Sequence, residues 1–256
     1  MATDALRSLA AKPADAVVLN TALRMLAKWR AEVVANTLAK RSGTRVLSGP
    51  FRGMEYGGVA EGSRTARLLG CYEAALHPVI EEIVTRGYPQ VVDIGAAEGY
   101  YAVGLALRMP QTRVLARDSG ARAQRLCQAL AAANGVANRV TVGGLFAHGD
   151  FDLARAEPTV ILCDIEGAEA ELLDPVAAPG LLRADILVEC HEGLVPGITR
   201  TLTDRFAASH RIQRLDRKLD PSALPDWMEE LSDFDRLIAL WEWRTSPTPW
   251  LWMRHR

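Results

Sequence analysis

The sequence predicts an α/β fold, doubly wound around a mostly parallel sheet. Five short apolar runs recur along the middle of the chain, at residues 91–94, 113–116, 140–142, 160–163 and 186–188. Helical or loop segments separate these runs, and parallel strands joined by right-handed crossovers produce this alternation. With 49% hydrophobic and 24% charged residues among 256, the composition is that of an ordinary globular protein.

A helical extension and a connector precede the sheet. Residues 14–40 are predicted to form a helix, because apolar side chains recur there at helical spacing. The positions at this spacing include Val18, Met25, Trp29 and Val33. Residues 49–62 form a glycine-rich connector that favours turns or a short hairpin. A helix over 71–86 then leads into the first strand, so we divide the chain into an extension at 1–70 and a core domain at 71–256.

The C-terminal part adds an edge to the sheet and an aromatic segment. The stretch 211–215 and the run 250–253 are predicted to pair as a hairpin at one sheet edge, which gives seven strands in a Rossmann-like arrangement. The Pro- and Trp-rich stretch 221–250 between them is typical of an ordered flap. Tryptophans in the last run suit packing at the sheet edge, whereas Trp241 and Trp243 are candidates for an aromatic wall of a binding site.

Charge and cysteine content narrow the classes of partner and compartment. With 30 basic and 31 acidic residues, the formal net charge is −1. This balance gives no general field for nucleic acid or an anionic membrane, so neither is expected as a partner. The four cysteines are widely spaced without a C-x-x-C pair, which favours reduced thiols in the core. No apolar stretch reaches the ~20 residues of a transmembrane helix, and we expect a cytoplasmic protein.

The strongest motif is V-V-D-I-G-A-A-E-G at residues 91–99, a strand that turns tightly into a helix. Gly95, Ala97 and Gly99 are small, which lets the backbone approach a bound nucleoside. The spacing is not the G-x-G-x-x-G of dinucleotide sites, and it matches the acidic-x-G-x-small-x-G turn of methyltransferases. Asp93 would repel phosphate but can accept hydrogen bonds from the ammonium of methionine. The motif therefore predicts S-adenosylmethionine as cofactor.

Further cofactor contacts are predicted around this motif. Asp118 ends the next strand, where it would meet the ribose hydroxyls or, alternatively, cap the following helix. Asp150 would take the adenine amino group and Phe151 would pack on the ring, unless their loop is a simple turn. Glu73, which precedes the first strand, would reach over the cofactor or cap a helix. Tyr101, at the end of the motif, completes the predicted cofactor set.

Two acidic clusters close later strands, D-I-E-G-A-E at residues 164–169 and E-C-H-E at 189–192. Ligands of open parallel sheets bind beyond the carboxyl ends of the strands, so both clusters belong on the cofactor's side. Side chains alternate along a strand, which places Glu189 and His191 on one side and Cys190 on the other. A carboxylate and an imidazole are thus expected to converge on one ligand.

With these motifs the sequence resembles the FkbM-type methyltransferases. The resemblance covers roughly residues 65–195 and rests on D-I-G-A-A-E-G-Y-Y at 93–101 and the two acidic clusters. It implies a class I methyltransferase fold, S-adenosylmethionine as donor, S-adenosylhomocysteine (SAH) as product, and O-methylation of small-molecule hydroxyls. One departure is Ala97, where such proteins often carry asparagine. Another is Arg117-Asp118-Ser119 in place of a hydrophobic-Glu-Pro turn.

Methyl transfer is an in-line displacement, so the enzyme mainly supplies alignment and a way to remove the acceptor's proton. His191 is the predicted base, because an imidazole titrates near neutral pH; the alternative is a structural histidine bonded to Glu189 or to backbone. Asp164 would orient the acceptor. Asp164, Glu189 and His191 together are also a candidate site for Mg²⁺ or another divalent ion. Glu166 and Glu169 stand at a helix start, where a structural role is expected for at least one.

The favoured function is O-methylation of a small-molecule hydroxyl, and other functions stay open. N- or carboxyl-methylation is one alternative, although the N-P-P-aromatic signature of amino-methylating nucleic-acid enzymes is absent after the strand that ends near Asp164. A nicotinamide-dependent oxidoreductase is disfavoured by the motif spacing and by Asp93. A methyltransferase-like binding protein without catalysis is a further alternative. The N-terminal helix has an apolar face, which suggests a homodimer.

Overall fold

The computed structural model describes residues 2–11, 15–57 and 63–256. Within these residues, seven strands form one sheet in the order β3-β2-β1-β4-β5-β7-β6. In chain order the strands are β1 (Gln90–Ile94), β2 (Arg113–Arg117), β3 (Val140–Gly143), β4 (Thr159–Cys163), β5 (Asp185–Glu189), β6 (His210–Leu215) and β7 (Trp250–His255). The predicted α/β architecture is confirmed, and each of the five apolar runs lies in one of the first five strands.

The first five strands run parallel, and their register brings their carboxyl ends level. Ile94 of β1 lies opposite Arg117 of β2 and Cys163 of β4, and Cys163 lies opposite Val188 of β5. Every residue of β1, β4 and β5 is buried. Continuously buried strands of this kind are expected where helices cover both faces of a parallel sheet.

The last two strands form the predicted antiparallel hairpin at the sheet edge. β7 lies between β5 and β6 and pairs antiparallel with both, so β6 is the outer strand. Trp250 and Trp252 are buried, and the indole N–H of Trp252 donates a hydrogen bond to Glu82 Oε2 at 3.2 Å. The role predicted for these two tryptophans, packing at the sheet edge, is confirmed.

Helices flank the sheet and precede it. In chain order they are α1 (Ala2–Ala10), α2 (Ala16–Ser42), α3 (Arg64–Leu69), α4 (His77–Arg86), α5 (Tyr100–Arg108), α6 (Ala121–Ala133), α7 (Glu169–Leu172), α8 (Ile198–Phe206) and α9 (Asp233–Ala239). The helix predicted over 71–86 begins later, at His77, after a short 3-10 helix at Ala74–Leu76. Pro78 explains this start, since proline is favoured in the first turn, where its missing N–H costs nothing.

Helix α2 agrees with the helix predicted over 14–40, although Ala14 lies outside the described residues. Asp15 caps it by accepting a hydrogen bond from the N–H of Val18 at 2.8 Å. Arg30 binds the buried Asp235 of α9 through two hydrogen bonds of 2.6 Å. This bidentate pair holds the N-terminal helix against the C-terminal part of the chain.

The N-terminal half of α2 leaves apolar side chains in solvent. The exposed side chains there are Val17, Leu19, Leu23, Leu26 and Trp29. The homodimer expected through this helix stays a prediction. Across the described ranges, we find no helix with both the length and the apolar character needed to cross a membrane.

The connector after α2 folds back on itself and packs against the core. Arg45 and Glu55 form an isolated antiparallel bridge, as expected for a short hairpin, whereas residues 58–62 of the connector lie outside the described part of the chain. Phe51 packs on Gly104 of α5, where an added Cβ would come within 2.5 Å of the phenyl ring. Connector and sheet residues share one apolar cluster. The division of the chain near residue 70 stays a prediction.

Helices α5 and α6 approach each other closely at Gly99, and alanine at that position is expected to destabilise the fold. Gly99 has a φ of 93°, and an added Cβ would lie 2.6 Å from Cys127 Sγ of α6. Left-handed strain and overpacking together predict a loss of about 2–5 kcal/mol for Gly99→Ala. Urea denaturation measures this loss.

Gly87→Ala is the matched control, because Gly87 has a φ of 65° but no atom within 4 Å of the added Cβ. This variant carries the strain alone and should lose about 1–2 kcal/mol. Equal losses in the two variants would contradict the close packing of α5 on α6.

Candidate active site

A cavity of about 1260 Å³ lies beyond the carboxyl ends of β1, β2, β4 and β5. One side is lined by the loop after β1, by Asp118 and by Phe146. The other side carries Asp164, Glu189 and His191, together with residues of the segment 242–248 before β7. A recess of about 40 Å³ adjoins the cavity and shares several lining residues with it. The sheet thus brings both sequence-predicted clusters to one site.

Close contact between two strand ends dictates the turn after β1. The N–H of Gly95 donates to the carbonyl oxygen of Arg117 at 2.8 Å. A Cβ added at Gly95 would lie 1.6 Å from the carbonyl oxygen of Asp164, so only glycine fits. Ala97 has a φ of 47° and lines the cavity. Asparagine tolerates such a left-handed conformation better than alanine does, so Ala97 is a strained choice.

Asp118 lines the cavity and also stabilises backbone. Its Oδ2 accepts a hydrogen bond from the N–H of Ala97 at 2.9 Å, and its Oδ1 accepts one from the N–H of Gly120 at 2.7 Å. Gly120 is the N-cap residue of α6, which has no side-chain cap, so Asp118 closes the turn before the helix instead of capping it. Each carboxylate oxygen can accept a second hydrogen bond. Asp118 therefore keeps acceptor capacity toward the cavity.

Asp93 is buried beneath the turn and lines the recess. It is 5% exposed, and its Oδ2 has no hydrogen-bond partner among the described residues. Burial disfavours the charged form and raises the pKa of Asp93 to about 7. A buried acceptor without a partner costs free energy, and a cationic ligand in the recess would remove that cost.

Tyr101 and Glu73 are joined by a hydrogen bond. Tyr101 lines the recess, and its hydroxyl donates to the carboxylate of Glu73. Glu73 itself is buried and lines neither the cavity nor the recess. The other Glu73 oxygen accepts from Arg244, which does line the cavity. Glu73 therefore does not extend over the cavity as predicted. It contacts Tyr101 and Arg244 instead, which line the recess and the cavity.

The structure does not bring Asp150 and Phe151 to the cavity. Asp150 lies in the first turn of the 3-10 helix His148–Arg155, and its Oδ2 caps that helix by accepting a hydrogen bond from the N–H of Ala147 at 2.7 Å. Phe151 lies on the inner face of that helix and is fully buried. Its ring packs edge-on against Phe146, with centroids 4.9 Å apart. Phe146, which the sequence did not single out, lines the cavity in place of Phe151.

His191 is held by a fully buried carboxylate. Its Nδ1 lies 2.7 Å from Glu169 Oε1, and Glu169 also accepts backbone hydrogen bonds from Ile165 and Gly167 at 3.1 Å. These bonds make Glu169 an acceptor, so Nδ1 donates and the ring orientation is fixed. Sequence reasoning expected a partner at Glu189 or in the backbone. The structural role expected for at least one of Glu166 and Glu169 is met by Glu169.

The other ring nitrogen of His191 faces three carboxylates. Nε2 lies 3.5 Å from Asp164 Oδ1, 3.4 Å from Glu166 Oε2 and 3.7 Å from Glu189 Oε2. Both His191 and Glu189 line the cavity, whereas Cys190 is buried in an apolar cluster on the opposite side of the strand end. The predicted alternation of these side chains is confirmed.

Burial and charge set the protonation of this cluster. Burial lowers the pKa of His191, but the bond to Glu169 and the nearby carboxylates act more strongly together and leave the pKa raised. Burial raises the pKa of Glu169, whereas its hydrogen bonds to His191 and backbone bring the net pKa down. Burial, with the Glu73 charge nearby, raises the pKa of Asp164 to about 7. Near neutral pH this cluster can take up or release a proton.

Arg244 links the C-terminal segment to this cluster. Its guanidinium forms ion pairs with three carboxylates, Glu73, Glu189 and Glu242. The preceding residue, Trp243, has a φ of 63° and stacks on Trp241 with ring centroids 4.2 Å apart. Trp243 and Arg244 both line the cavity. No spacing in the sequence pointed to Arg244, because its partners lie far away in the chain.

The described residues hold one group with the geometry for a metal ion, and it differs from the predicted set. Ligand atoms of Asp164, Glu169 and His191 lie within 4.8 Å of one another. Glu189, predicted as the third ligand, is paired with Arg244 instead. The bond between Glu169 and His191 resembles the outer-shell contact that commonly orients a ligating histidine. A divalent ion at this cluster stays a prediction.

Two curated relatives match part of the chain. The release factor glutamine methyltransferase of Deinococcus radiodurans is 31% identical over 156 residues, which is 56% of this chain and 56% of that protein. The enzyme of the same name from Chlorobaculum tepidum is 29% identical over 186 residues, which is 57% of this chain and 63% of that protein. The chain thus spans less than two thirds of the curated relatives it matches.

The solved structure of an O-methyltransferase from Bacillus cereus, in complex with SAH, matches 100% of this chain and 98% of its own. The TM-score is 0.50 at 13% sequence identity, a likeness that shows the fold. The chain has the class I methyltransferase fold. No family model matches it, so the resemblance to FkbM-type methyltransferases stays a prediction.

Removing the carboxylate that holds His191 is expected to lower the pKa of the imidazole. Glu169→Gln keeps the size of the side chain but abolishes the charge that stabilises the imidazolium, so the protonated form loses its main support. NMR titration of the ring measures the shift. Glu171→Gln is the control, since Glu171 is exposed on the same segment. An unchanged or raised His191 pKa in Glu169→Gln would contradict this account of the pair.

Proposed function

We propose that the chain is an S-adenosylmethionine-dependent methyltransferase that methylates a hydroxyl oxygen of a small-molecule acceptor. The observation that carries the proposal is one cavity with two unlike sides. One side has the glycine-rich turn and Asp118, which suit a nucleoside. The other has an imidazole held by a buried carboxylate. Such a division suits a cofactor on one side and an acceptor on the other.

The residues on the nucleoside side fit the proposed cofactor. Asp93 offers an unpaired buried oxygen to an ammonium group, and Asp118 keeps acceptor capacity for ribose hydroxyls. Phe146 offers an apolar surface for adenine, in the role expected of Phe151. The cavity exceeds the ~300–1,000 Å³ typical of small-molecule sites. It therefore has room for a nucleoside and an acceptor together.

When bound, S-adenosylmethionine would supply a methyl group on a positively charged sulfur. A carbon–oxygen bond forms on the acceptor, the carbon–sulfur bond breaks with its electron pair left on sulfur, and the acceptor's proton must go to a base. His191 Nε2 is the group we assign to that proton, because Nδ1 is occupied by Glu169 and Nε2 faces the cavity. The imidazole must be neutral before the reaction to act in this way.

Asp164 and Glu189 flank the proposed base. Asp164 lies at the end of β4 and faces both the cavity and the recess, which suits a group that orients the acceptor hydroxyl. Glu189, paired with Arg244, would stabilise the imidazolium formed when His191 takes the proton. Mg²⁺ or another divalent ion at Asp164, Glu169 and His191 would instead lower the pKa of an acceptor hydroxyl. Assays with and without a chelator distinguish the two routes.

Protein N-methylation is the second candidate. The two curated relatives carry the name release factor glutamine methyltransferase, which makes a glutamine side chain an alternative acceptor. An amide nitrogen is a weak nucleophile that needs close polar contacts rather than a general base. In this chain the strand end at Asp164 carries D-I-E-G. The imidazole of His191, held by Glu169, lies beside it, and a positioned base of this kind favours a hydroxyl acceptor. Carboxyl methylation and a non-catalytic binding role are further alternatives.

Cofactor binding is the first test. We expect calorimetric titration to give micromolar binding of S-adenosylmethionine and SAH, and no binding of NAD. Asp93→Asn and Asp118→Asn should each weaken binding by about 10–100-fold, since each removes hydrogen bonds to a charged acceptor. Wild-type affinity for SAH should also fall about tenfold from pH 8 to pH 6, because protonation through the Asp93 pKa of about 7 abolishes its charge.

Asp152→Asn is the control for these carboxylates, because Asp152 is exposed and lines neither the cavity nor the recess. Tight binding of NAD, or no binding of either sulfur nucleoside, would remove the proposed function.

The role of His191 is tested by rate. With a hydroxylated acceptor found by screening, His191→Gln should reduce kcat by about 10²–10⁴-fold while leaving SAH affinity unchanged. The wild-type rate should rise with pH through a pKa above the usual 6.5, since the neutral imidazole is the active form and its pKa is raised. Full activity of His191→Gln would leave only a structural role for this residue, and methylation of a glutamine-containing release-factor peptide alone would favour the second candidate.

A further inference from the structure

Trp243 has a strained backbone conformation at the wall of the cavity. Its φ of 63° lies in the left-handed region, which a bulky residue rarely adopts. The residue is half-buried and lines the cavity on the side proposed for the acceptor. Strained residues of this kind persist only where their surroundings fix them, and they concentrate at ligand sites. The contacts that fix Trp243 therefore bear on the shape of the acceptor side.

The position of Trp243 depends on helix α9. In the described chain, residues 240–249 connect α9 to β7 and belong to neither a helix nor a strand. The ring of Trp243 stacks on Trp241, and the backbone N–H of Trp241 donates to the carbonyl oxygen of Ile238 in α9 at 3.1 Å. Arg244 ties the next residue to Glu189 at the end of β5. Trp243 thus lies between an anchor on the sheet and an anchor on α9.

Helix α9 is held in turn by α2. Arg30 of α2 donates two hydrogen bonds of 2.6 Å to the carboxylate of Asp235 in α9, and Asp235 is 3% exposed. Two residues earlier on α2, the ammonium of Lys28 lies 5.8 Å from the centre of the Trp243 ring. Buried ion pairs are often replaceable by apolar residues without loss of stability, so stability alone does not explain this pair. A bidentate pair does fix the geometry between the two helices.

A second set of contacts joins the end of α2 to the stretch before α9. The indole N–H of Trp227 donates to Ser42 Oγ at 3.2 Å, and the guanidinium carbon of Arg41 lies 4.7 Å from the centre of the Trp227 ring. Arg41 also donates to Glu230 Oε2 at 3.1 Å. Helix α2 therefore supports the chain between β6 and β7 at several points, from Lys28 to Ser42.

We infer that α2 is a positioning element of the acceptor side, in which Arg30 holds Asp235 and α9 and so keeps Trp243 at the wall of the cavity. This inference rests on the proposed function, which assigns that side to the acceptor. Arg30 is not among the described residues that line the cavity, so it acts through Trp243 and not by contact with a ligand. The N-terminal extension thereby has a role in acceptor binding that the cofactor side does not share.

Hydrogen exchange followed by mass spectrometry is the first test, because it needs no acceptor. Arg30→Gln leaves the buried carboxylate of Asp235 without its cation, so exchange in residues 240–248 should become about tenfold faster. Exchange in β1 and β4 should not change. The calorimetric affinity for SAH should change by less than about twofold, since the cofactor side is independent of the pair. Arg24→Gln is the matched control, because Arg24 is exposed on the same helix.

Kinetics separate positioning from a general structural role. With the acceptor found for the His191 assay, Arg30→Gln should raise KM about 5–20-fold and leave kcat within about twofold, because a wall remote from the reacting atoms contributes uniform binding. Trp243→Leu should raise KM to a similar extent. When Trp243→Leu is already present, Arg30→Gln should add less than about twofold, since both changes act through the same contact.

Two results would overturn the inference. One is unchanged exchange in residues 240–248 of Arg30→Gln, and the other is a KM effect of Arg30→Gln that persists in full beside Trp243→Leu. Should Arg30→Gln fail to fold, Arg30→Lys takes its place, because it keeps the charge but loses the bidentate geometry, and unchanged exchange there has the same meaning. Faster exchange in a protein that binds no sulfur nucleoside would support the coupling of α2 to Trp243 while removing the proposed function.

Discussion

Parallel pairing of β1 with its neighbours decides which residues surround the cavity. Because the strand ends are level, the residues that follow β1, β2 and β4 form one row with the end of β5. That row is Asp118, Gly95, Asp164 and Glu189. Adjacent strands lie ~4.8 Å apart, so the row crosses about 14 Å. A shift of register by one residue would turn side chains of this row to the opposite face of the sheet, and the site would not form.

Much of this row could be predicted from sequence, because each member follows an apolar run directly. Prediction of a residue at a strand end requires only the apolar run and the residue after it, and both are local signals. Arg244 carried no such signal, because its position depends on contacts across the fold. It meets Glu73, which lies 171 residues away. The exchange of Phe151 for Phe146 has a different cause. Sequence pattern did not show which face of a short 3-10 helix turns inward.

A cluster of buried charges lies beside the cavity. Arg244 is surrounded by Glu73, Glu189 and Glu242, and each of these groups had to leave water to reach its place. Hydrophobic residues of similar size often replace such clusters without loss of stability, so the cluster is not explained by stability alone. Its position beside His191 gives it another use. The ion pair with Arg244 fixes the Glu189 carboxylate, whose Oε2 lies 3.7 Å from His191 Nε2.

The parts of the chain that form the site differ in how much change of sequence they tolerate. The sheet row and the turn after β1 admit little change, since Gly95 has no room for a Cβ. Arg67 and Tyr72 line the cavity from the segment before β1, whereas Trp243 and Arg244 line it from the segment before β7. These two segments meet through buried contacts such as the bond from the N–H of Glu73 to Glu242. Under the proposed function, changes in the segment before β7 would therefore alter acceptor specificity, whereas changes in the row would alter cofactor binding.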